Sequence, residues 1–186
     1  MRQEVIVVRT EDQKFLWLVQ NLQALLLRGK VLIFVNHIKS CDELYKELKM
    51  SLNIESMVLH GDKLQQERTQ IINSFKTDHN ILIATDIASR GLDVPAIKSV
   101  INYECPKDGD THIHRVGRTG RAGDKDGVAY TLIMRNEMKF AIILMKNLEL
   151  SGQKIPQDLE EMAMNDDGFK RKKMMTKMGL KKRFFK

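Results

Sequence analysis

Residues 112–123 read H-I-H-R-V-G-R-T-G-R-A-G, with arginine at every third position, Arg115, Arg118 and Arg121. Gly117, Gly120 and Gly123 keep the same interval. A period of three fits neither the 3.6 of an α-helix nor the 2 of a strand, so most of the segment is expected to be a structured loop. Glycine lets a backbone approach a ligand closely. Arginine presents a planar, permanently charged fork that matches phosphate oxygens. Together they read as an arginine array facing phosphate. Taken alone, the segment leaves open an ordinary exposed basic loop.

Two upstream clusters have chemistry of their own. Residues 85–93, T-D-I-A-S-R-G-L-D, crowd a hydroxyl, two carboxylates, an arginine and a glycine behind an apolar run. Thr85 is suited to capping the next turn or donating to phosphate, and Asp93 to accepting from the vicinal hydroxyls of a ribose. A capped turn with an internal Arg–Asp pair is the alternative. Residues 60–68 hold His60-Gly61-Asp62 and then Gln65 and Arg68. Backbone N–H groups at a helix start bind anions, and Arg68 adds a cation within that turn. A surface helix with an ordinary arginine is equally open there. His79 and His112 are read as surface residues, since nothing nearby offers metal geometry, and no metal site is expected. Trp17 sits on a helical pattern and is read as core.

The elements that must position these residues alternate. Residues 4–8, 31–35, 57–59, 81–84, 100–103 and 128–133 read as strands, and V-L-I-F-V at 31–35 has the apolar continuity of a strand buried on both faces. Helical spacing covers 13–27, with Phe15, Leu18, Leu22, Leu25 and Leu26 apolar and Gly29 as the stop. A Ser40–Glu43 capping box is expected to open the next helix. Further helices are expected over 64–75, 110–116 and from the last strand to about 150, with Pro156 in the first turn of a final one. Strands separated by helices imply right-handed βαβ units and a parallel sheet covered on both faces. Chemistry then gathers beyond the carboxyl ends of the strands, and every cluster above follows a predicted strand or opens a helix.

Composition narrows the classes. The 186 residues suffice for one well-cored domain and an appendage. Hydrophobic content of 42% and charged content of 30% suit a soluble globular protein. No apolar run approaches the roughly 18 residues of a membrane span, and no signal peptide is expected. Cys41 and Cys105 form no CxxC site and read as ordinary thiols of a reducing compartment. Nine of the 31 basic residues lie in 170–186, which has no acidic residue; the other 169 residues hold 22 basic and 24 acidic side chains. A nearly neutral body would meet a polyanion through placed residues rather than a diffuse field. The division expected is a domain over 1–165 and a basic, flexible tail over 166–186.

Six ordered motifs carry a family resemblance: L-I-F-V-N (32–36), H-G-D (60–62), Q-x-x-R (65–68), A-T-D-I-A-S-R-G-L-D (84–93), V-I-N-Y (100–103) and H-R-V-G-R-T-G-R (114–121). In order and spacing they resemble the second RecA-like domain of a DEAD-box RNA helicase, strongly over 5–134. His114 opens the arginine motif as DEAD-box proteins do, where DEAH and RecQ relatives usually place Gln. Two positions depart from the pattern: His112 stands where an aromatic residue is frequent, and Ser89 where Ala is. Thr111-His112 and N-L-E at 147–149 resemble a spliceosome-associated branch.

The resemblance implies a three-layer α/β/α fold with a mainly parallel sheet. It implies an ATP-dependent RNA helicase in which ATP is clamped between two domains, with Mg2+ held by the first. Arg118 and Arg121 would be arginine fingers, with His114 beside them in the catalytic set. Gly91 and Asp93 would complete the nucleotide-binding residues. His114 and Arg115 would couple the domains, and Gly61, Arg68 and Thr85 would hold the RNA backbone. The chain contains neither a G-x-x-x-x-G-K-S/T loop nor a D-E-A-D box. It is therefore expected to be half of a longer intracellular protein, nuclear or cytoplasmic, monomeric, away from membranes and inactive alone as an ATPase. A non-catalytic RNA-binding module and a partner-docking module are the alternatives.

Overall fold

The computed structural model describes residues 1–89, 94, 97–120 and 126–177. Among them, six strands form one sheet in the order β1-β6-β5-β2-β4-β3, and every pairing is parallel. The strands are β1 Arg2–Val8, β2 Lys30–Phe34, β3 Met57–Leu59, β4 Ile81–Ala84, β5 Ile97–Asn102 and β6 Val128–Met134. The helices are α1 Glu11–Arg28, α2 Ile38–Leu52, α3 Gln65–Thr77, α4 Asp86–Ser89, α5 Gly109–Val116, α6 Met138–Leu150, α7 Gln157–Ala163 and α8 Asp167–Lys177.

Side chains alternate across the sheet, and each face has its own layer. Val31, Ile33, Ile83 and Ile101 pack with Leu18, Leu22 and Leu25 of α1 and Cys41, Leu44 and Leu48 of α2. Leu32, Phe34, Leu82 and Val100 turn the other way, toward Phe75 of α3 and Val116 of α5. Along β1 and β6, Val5, Val7 and Ile133 meet Phe140, Leu144 and Leu148 of α6 and Leu159 of α7. Each Val, Leu, Ile or Phe among them that is fully buried contributes about 1.5–3 kcal/mol by leaving water. Trp17 packs on Tyr130 of β6 with ring centroids 5.3 Å apart, as its helical position implied.

Three local expectations are corrected. Helix α2 starts at Ile38, so Ser40 lies inside its first turn and forms no capping box; His37 caps it without a side-chain bond. The turn before the buried Cys41–Leu44–Leu48 face closes through the Cys41 N–H donating to His37 O at 3.2 Å. Pro156 stands one residue before α7 rather than in its first turn, and α7 is not the last helix. Residues 167–177, read as part of a flexible tail, form α8, whose start is held by the Phe169 N–H on Asp166 Oδ1 at 2.8 Å. Lys173 pairs with Glu160 of α7.

Candidate functional site

Because the sheet is parallel, the carboxyl ends of its strands share one edge, and the chain reverses its direction of travel across the sheet at β3. The carboxyl edge is where open α/β sheets bind ligands. A cleft of about 500 Å³ lies there, lined by Asn36 after β2, Gly61 after β3, Thr85 and Asp86 after β4, and His114, Arg115 and Arg118 from α5 and the turn beyond. Lys107 and Thr111 add to its wall.

Arg115 holds the floor together. It is 1% exposed and uses four donors on internal partners. Its Nε and Nη2 donate to the two Asp86 oxygens at 2.6 and 2.8 Å, Nη1 to Glu104 O at 2.8 Å, and Nη2 also to Asn36 Oδ1 at 2.7 Å. The guanidinium lies over the Phe34 ring, 5.1 Å from its centroid. Asn36 in turn donates through Nδ2 to Cys105 O at 3.0 Å. One side chain thus ties the ends of β2, β4 and β5 to α5. A buried charge is tolerated only when so fully paired.

The loop that follows is fixed independently. The Arg118 N–H donates to Arg115 O at 3.0 Å, and buried Thr119 donates its hydroxyl to Ile97 O at 2.6 Å. Gly120 has φ 68°, in the left-handed region that suits glycine. At Gly127 an added Cβ would come within 2.4 Å of Thr119 Oγ1 and 2.6 Å of the Gly120 N, so the bare backbone is what admits the loop. The three-residue beat therefore gives unlike outcomes: Arg115 points inward, whereas Arg118 is half-buried on the cleft wall.

Gly61 is exposed, and a Cβ built on it meets nothing within 4 Å. Thr85 is buried beneath the cleft, its N–H donating to Leu59 O at 3.2 Å. Arg68 is half-buried just outside the lining and donates to Ala88 O at 3.1 Å, joining α3 to α4. Gly91, Asp93 and Arg121 lie outside the described residues.

Residues 13–123 match the family described as helicase conserved C-terminal domain. Nearly the whole chain also aligns with DEAD-box RNA helicases. It is 46% identical over 172 residues to the probable ATP-dependent RNA helicase ddx42 of Dictyostelium discoideum, covering 92% of this chain and 17% of that protein. It is 43% identical over 172 residues to DEAD-box ATP-dependent RNA helicase 24 of Arabidopsis thaliana, covering 92% and 22%. The chain belongs to the DEAD-box helicase C-terminal domain family. Among solved structures, the yeast DEAD-box splicing factor Prp28 superposes with a TM-score of 0.78 at 28% identity, over 87% of this chain and 36% of that one. A Saccharomyces cerevisiae Dbp5 variant bound to RNA and ADP BeF3 gives 0.71 at 30%, over 91% and 45%. The fold is RecA-like, and the chain spans about a fifth of the length of the curated relatives it matches.

The two histidines taken as surface residues in this DEAD-box domain are not. His112 is 2% exposed, edge-on to Phe140, with its Nδ1 accepting from Asn147 Nδ2 at 3.0 Å. Burial, aided by the nearby Arg115 charge, pushes its pKa down to about 4, so the ring is neutral at physiological pH. The face of α6 that carries Phe140 and Asn147 takes it in. His79 is half-buried, and its Nδ1 has no partner among the described residues. Both cysteines are buried free thiols; burial raises Cys41 to about 12 and carries Cys105 further up.

Asn36 and Glu104 were not recognised from sequence as Arg115 partners, and neither was the role of Asp86. The available signal was position: each polar group follows the apolar run of a strand, where a parallel sheet puts its chemistry.

Proposed function

We propose that this domain is the second motor domain of an ATP-dependent RNA helicase, supplying the arginine side of an ATP site closed by another domain. The observation that carries the reading is the juxtaposition in one cleft of Lys107, His114 and Arg118 with Gly61 and Thr85, on a floor locked by Arg115. That donor set suits phosphate oxygens. Asp86, the carboxylate in the lining, is taken up by Arg115. The described residues contain no group of three side chains able to hold a cation. Mg2+, which would neutralise phosphate charge during transfer, is assigned to the partner domain together with the remaining phosphate contacts.

Arg118 and Arg121 would stabilise charge developing on the transferred phosphoryl group. His114 would stand beside them at the domain interface. Gly91 and Asp93 would orient the nucleotide. Gly61, Arg68 and Thr85 would contact RNA through its sugar–phosphate backbone, which positions the strand without reading sequence. The open space around Gly61 supports a backbone meeting a ligand closely. The relative bound to both RNA and ADP BeF3 supports the pairing of the two ligands. Arg115 braces the motif from inside, so coupling between sites would pass through its strand-end contacts rather than direct contact with the other domain.

Single-turnover ATP hydrolysis by the full-length protein tests this reading. Arg118→Ala and Arg121→Ala should abolish turnover while RNA binding persists, and the isolated chain should hydrolyse nothing. ATPase activity of the purified chain that disappears with Arg118→Ala would overturn the need for a second domain.

A further inference from the structure

On the α1/α2 side of the sheet lies a second depression, of about 340 Å³, that the helicase reading does not use. Its volume is at the lower end of the roughly 300–1,000 Å³ of ligand pockets. Phe15 and Tyr103 line it, Leu16 stands beside them 53% exposed, and Glu11, Asp12 and Glu47 supply its charge. No lysine or arginine is in the lining. Glu11 is engaged by Lys14 Nζ at 3.1 Å, but Asp12 and Glu47 are exposed and have no salt-bridge partner among the described residues. Acidic residues in the first turn of α1 are accounted for by the helix dipole; Glu47, in the second half of α2, is not.

Tyr103 adds an independent sign. The side chain is 9% exposed, and its hydroxyl, which no protein group among the described residues engages, is not among the buried unpartnered atoms and so opens onto the groove. Burial and then the Glu47, Glu11, Glu104 and Asp12 carboxylates push its pKa up, so it stays a donor. A donor without an acceptor, an apolar wall and unpaired carboxylates together specify a complement.

We propose that this groove docks a basic segment of a partner protein, with lysines or arginines on Asp12 and Glu47, an aromatic side chain against Phe15 and Leu16, and a backbone carbonyl on the Tyr103 hydroxyl. A polyanion or an anionic membrane is repelled by the same carboxylates. The groove adjoins the arginine cleft through the chain: the residue after Tyr103, Glu104, supplies the carbonyl that Arg115 grips. The occupant would thus sit one residue from the brace of the arginine motif.

The probe is a set of fluorescein-labelled nine-residue peptides with Lys/Arg flanking one central position that is Phe, Trp, Leu or Ser. Titrated against the full chain, peptides with an aromatic centre should bind at least tenfold tighter than the Ser version. They should also shift the ring resonances of Tyr103. Asp12→Lys with Glu47→Lys should cost at least tenfold in affinity, and Asp12→Asn with Glu47→Gln an intermediate amount, with thermal unfolding showing that each variant is folded. Affinity indifferent to the central residue or to charge reversal, or an unmoved Tyr103 ring, overturns the proposal. Affinity that rises tenfold on removal of residues 178–186 would make the chain's own basic end the occupant. A dimer broken by Glu47→Lys would make it a second copy. Either result overturns a partner protein as the occupant.

Discussion

In the arginine cleft the central charges are spent on each other; in the α1/α2 groove they are left for something else. Arg115 and Asp86 form a bidentate pair with the arginine 1% exposed, and four donors end on protein atoms. Asp12 and Glu47 stand exposed without a salt bridge among the described residues. The difference separates two uses of charge: a fully paired buried ion sets geometry, and an exposed unpaired one recruits. The arginine motif itself shows a difference of position, with Arg115 buried in the floor and Arg118 half-buried on the wall.

The sharpest way to test that difference is to delete each arginine. If the proposed function holds, Arg118→Ala or Arg121→Ala in the full-length protein is expected to lower kcat by roughly 10³–10⁵, the range for arginine fingers, and to raise KM less. The melting temperature of the Arg118→Ala domain should stay put, and lysine should rescue poorly for want of the planar fork. A hydrolysis defect that tracks lost stability would put Arg118 with Arg115 and erase the contrast.

Arg115→Ala should do the opposite. Removing one partner of a buried pair costs about 3–5 kcal/mol. At about 2–4 °C per kcal/mol for a domain of this size, calorimetry should show melting lowered by about 6–20 °C. An Arg115→Ala domain that melts normally would show that the brace is idle.

Next in size is a pH effect at His112. Its folded pKa of about 4 lies below the ordinary 6.5, so the unfolded chain takes up the proton first as pH falls. The stability concerned is full above pH 6.5 and is lost progressively from there toward pH 4. A shift of this size is worth up to roughly 3 kcal/mol. Denaturant titrations at pH 7 and pH 4.5 should show the loss, and His112→Phe should flatten it while keeping the packing on Phe140. An unchanged pH dependence in that variant would place the titrating group elsewhere.

The smallest expected effect on the fold is at Gly61. Gly61→Ala adds a methyl group to open space and should leave stability within about 0.5 kcal/mol. On the proposed RNA contact, the RNA affinity of the full-length protein should fall, because the methyl group would stand where the RNA backbone approaches. Equal RNA affinity of mutant and wild type would remove Gly61 from the RNA-contacting set.

What could be read from sequence follows from how local the cause is. The apolar runs of β2 and β4 and the alternation that forces a parallel sheet rest on neighbours in the chain. The inward turn of Arg115 does not. Its partners Asp86 and Asn36 lie 29 and 79 residues away, and only the register of three strand ends brings them together. His112 was misread for the same reason, because its partner Asn147 belongs to another helix. The α2 start was misplaced because a polar capping pattern was weighed above the apolar face that anchors the turn. Helix α8 was missed because lysine and arginine obscure the periodicity from which helices are read.

The order of the strands also bears on how the chain is made. Among the described residues, β1 is at one edge of the sheet and pairs only with β6, Arg2 opposite Val128. At a synthesis rate of about 5–20 residues per second, the ribosome makes β1 roughly 6–25 s before it makes the strand that will hold it. Through that interval Val5, Ile6, Val7 and Val8 have no sheet to join, while the β2–β4 pairing, with a span of 50 residues, can already close. A nascent chain of this domain should therefore acquire its centre first and its beginning last, with the first strand as the segment open to a chaperone or a protease until β6 emerges.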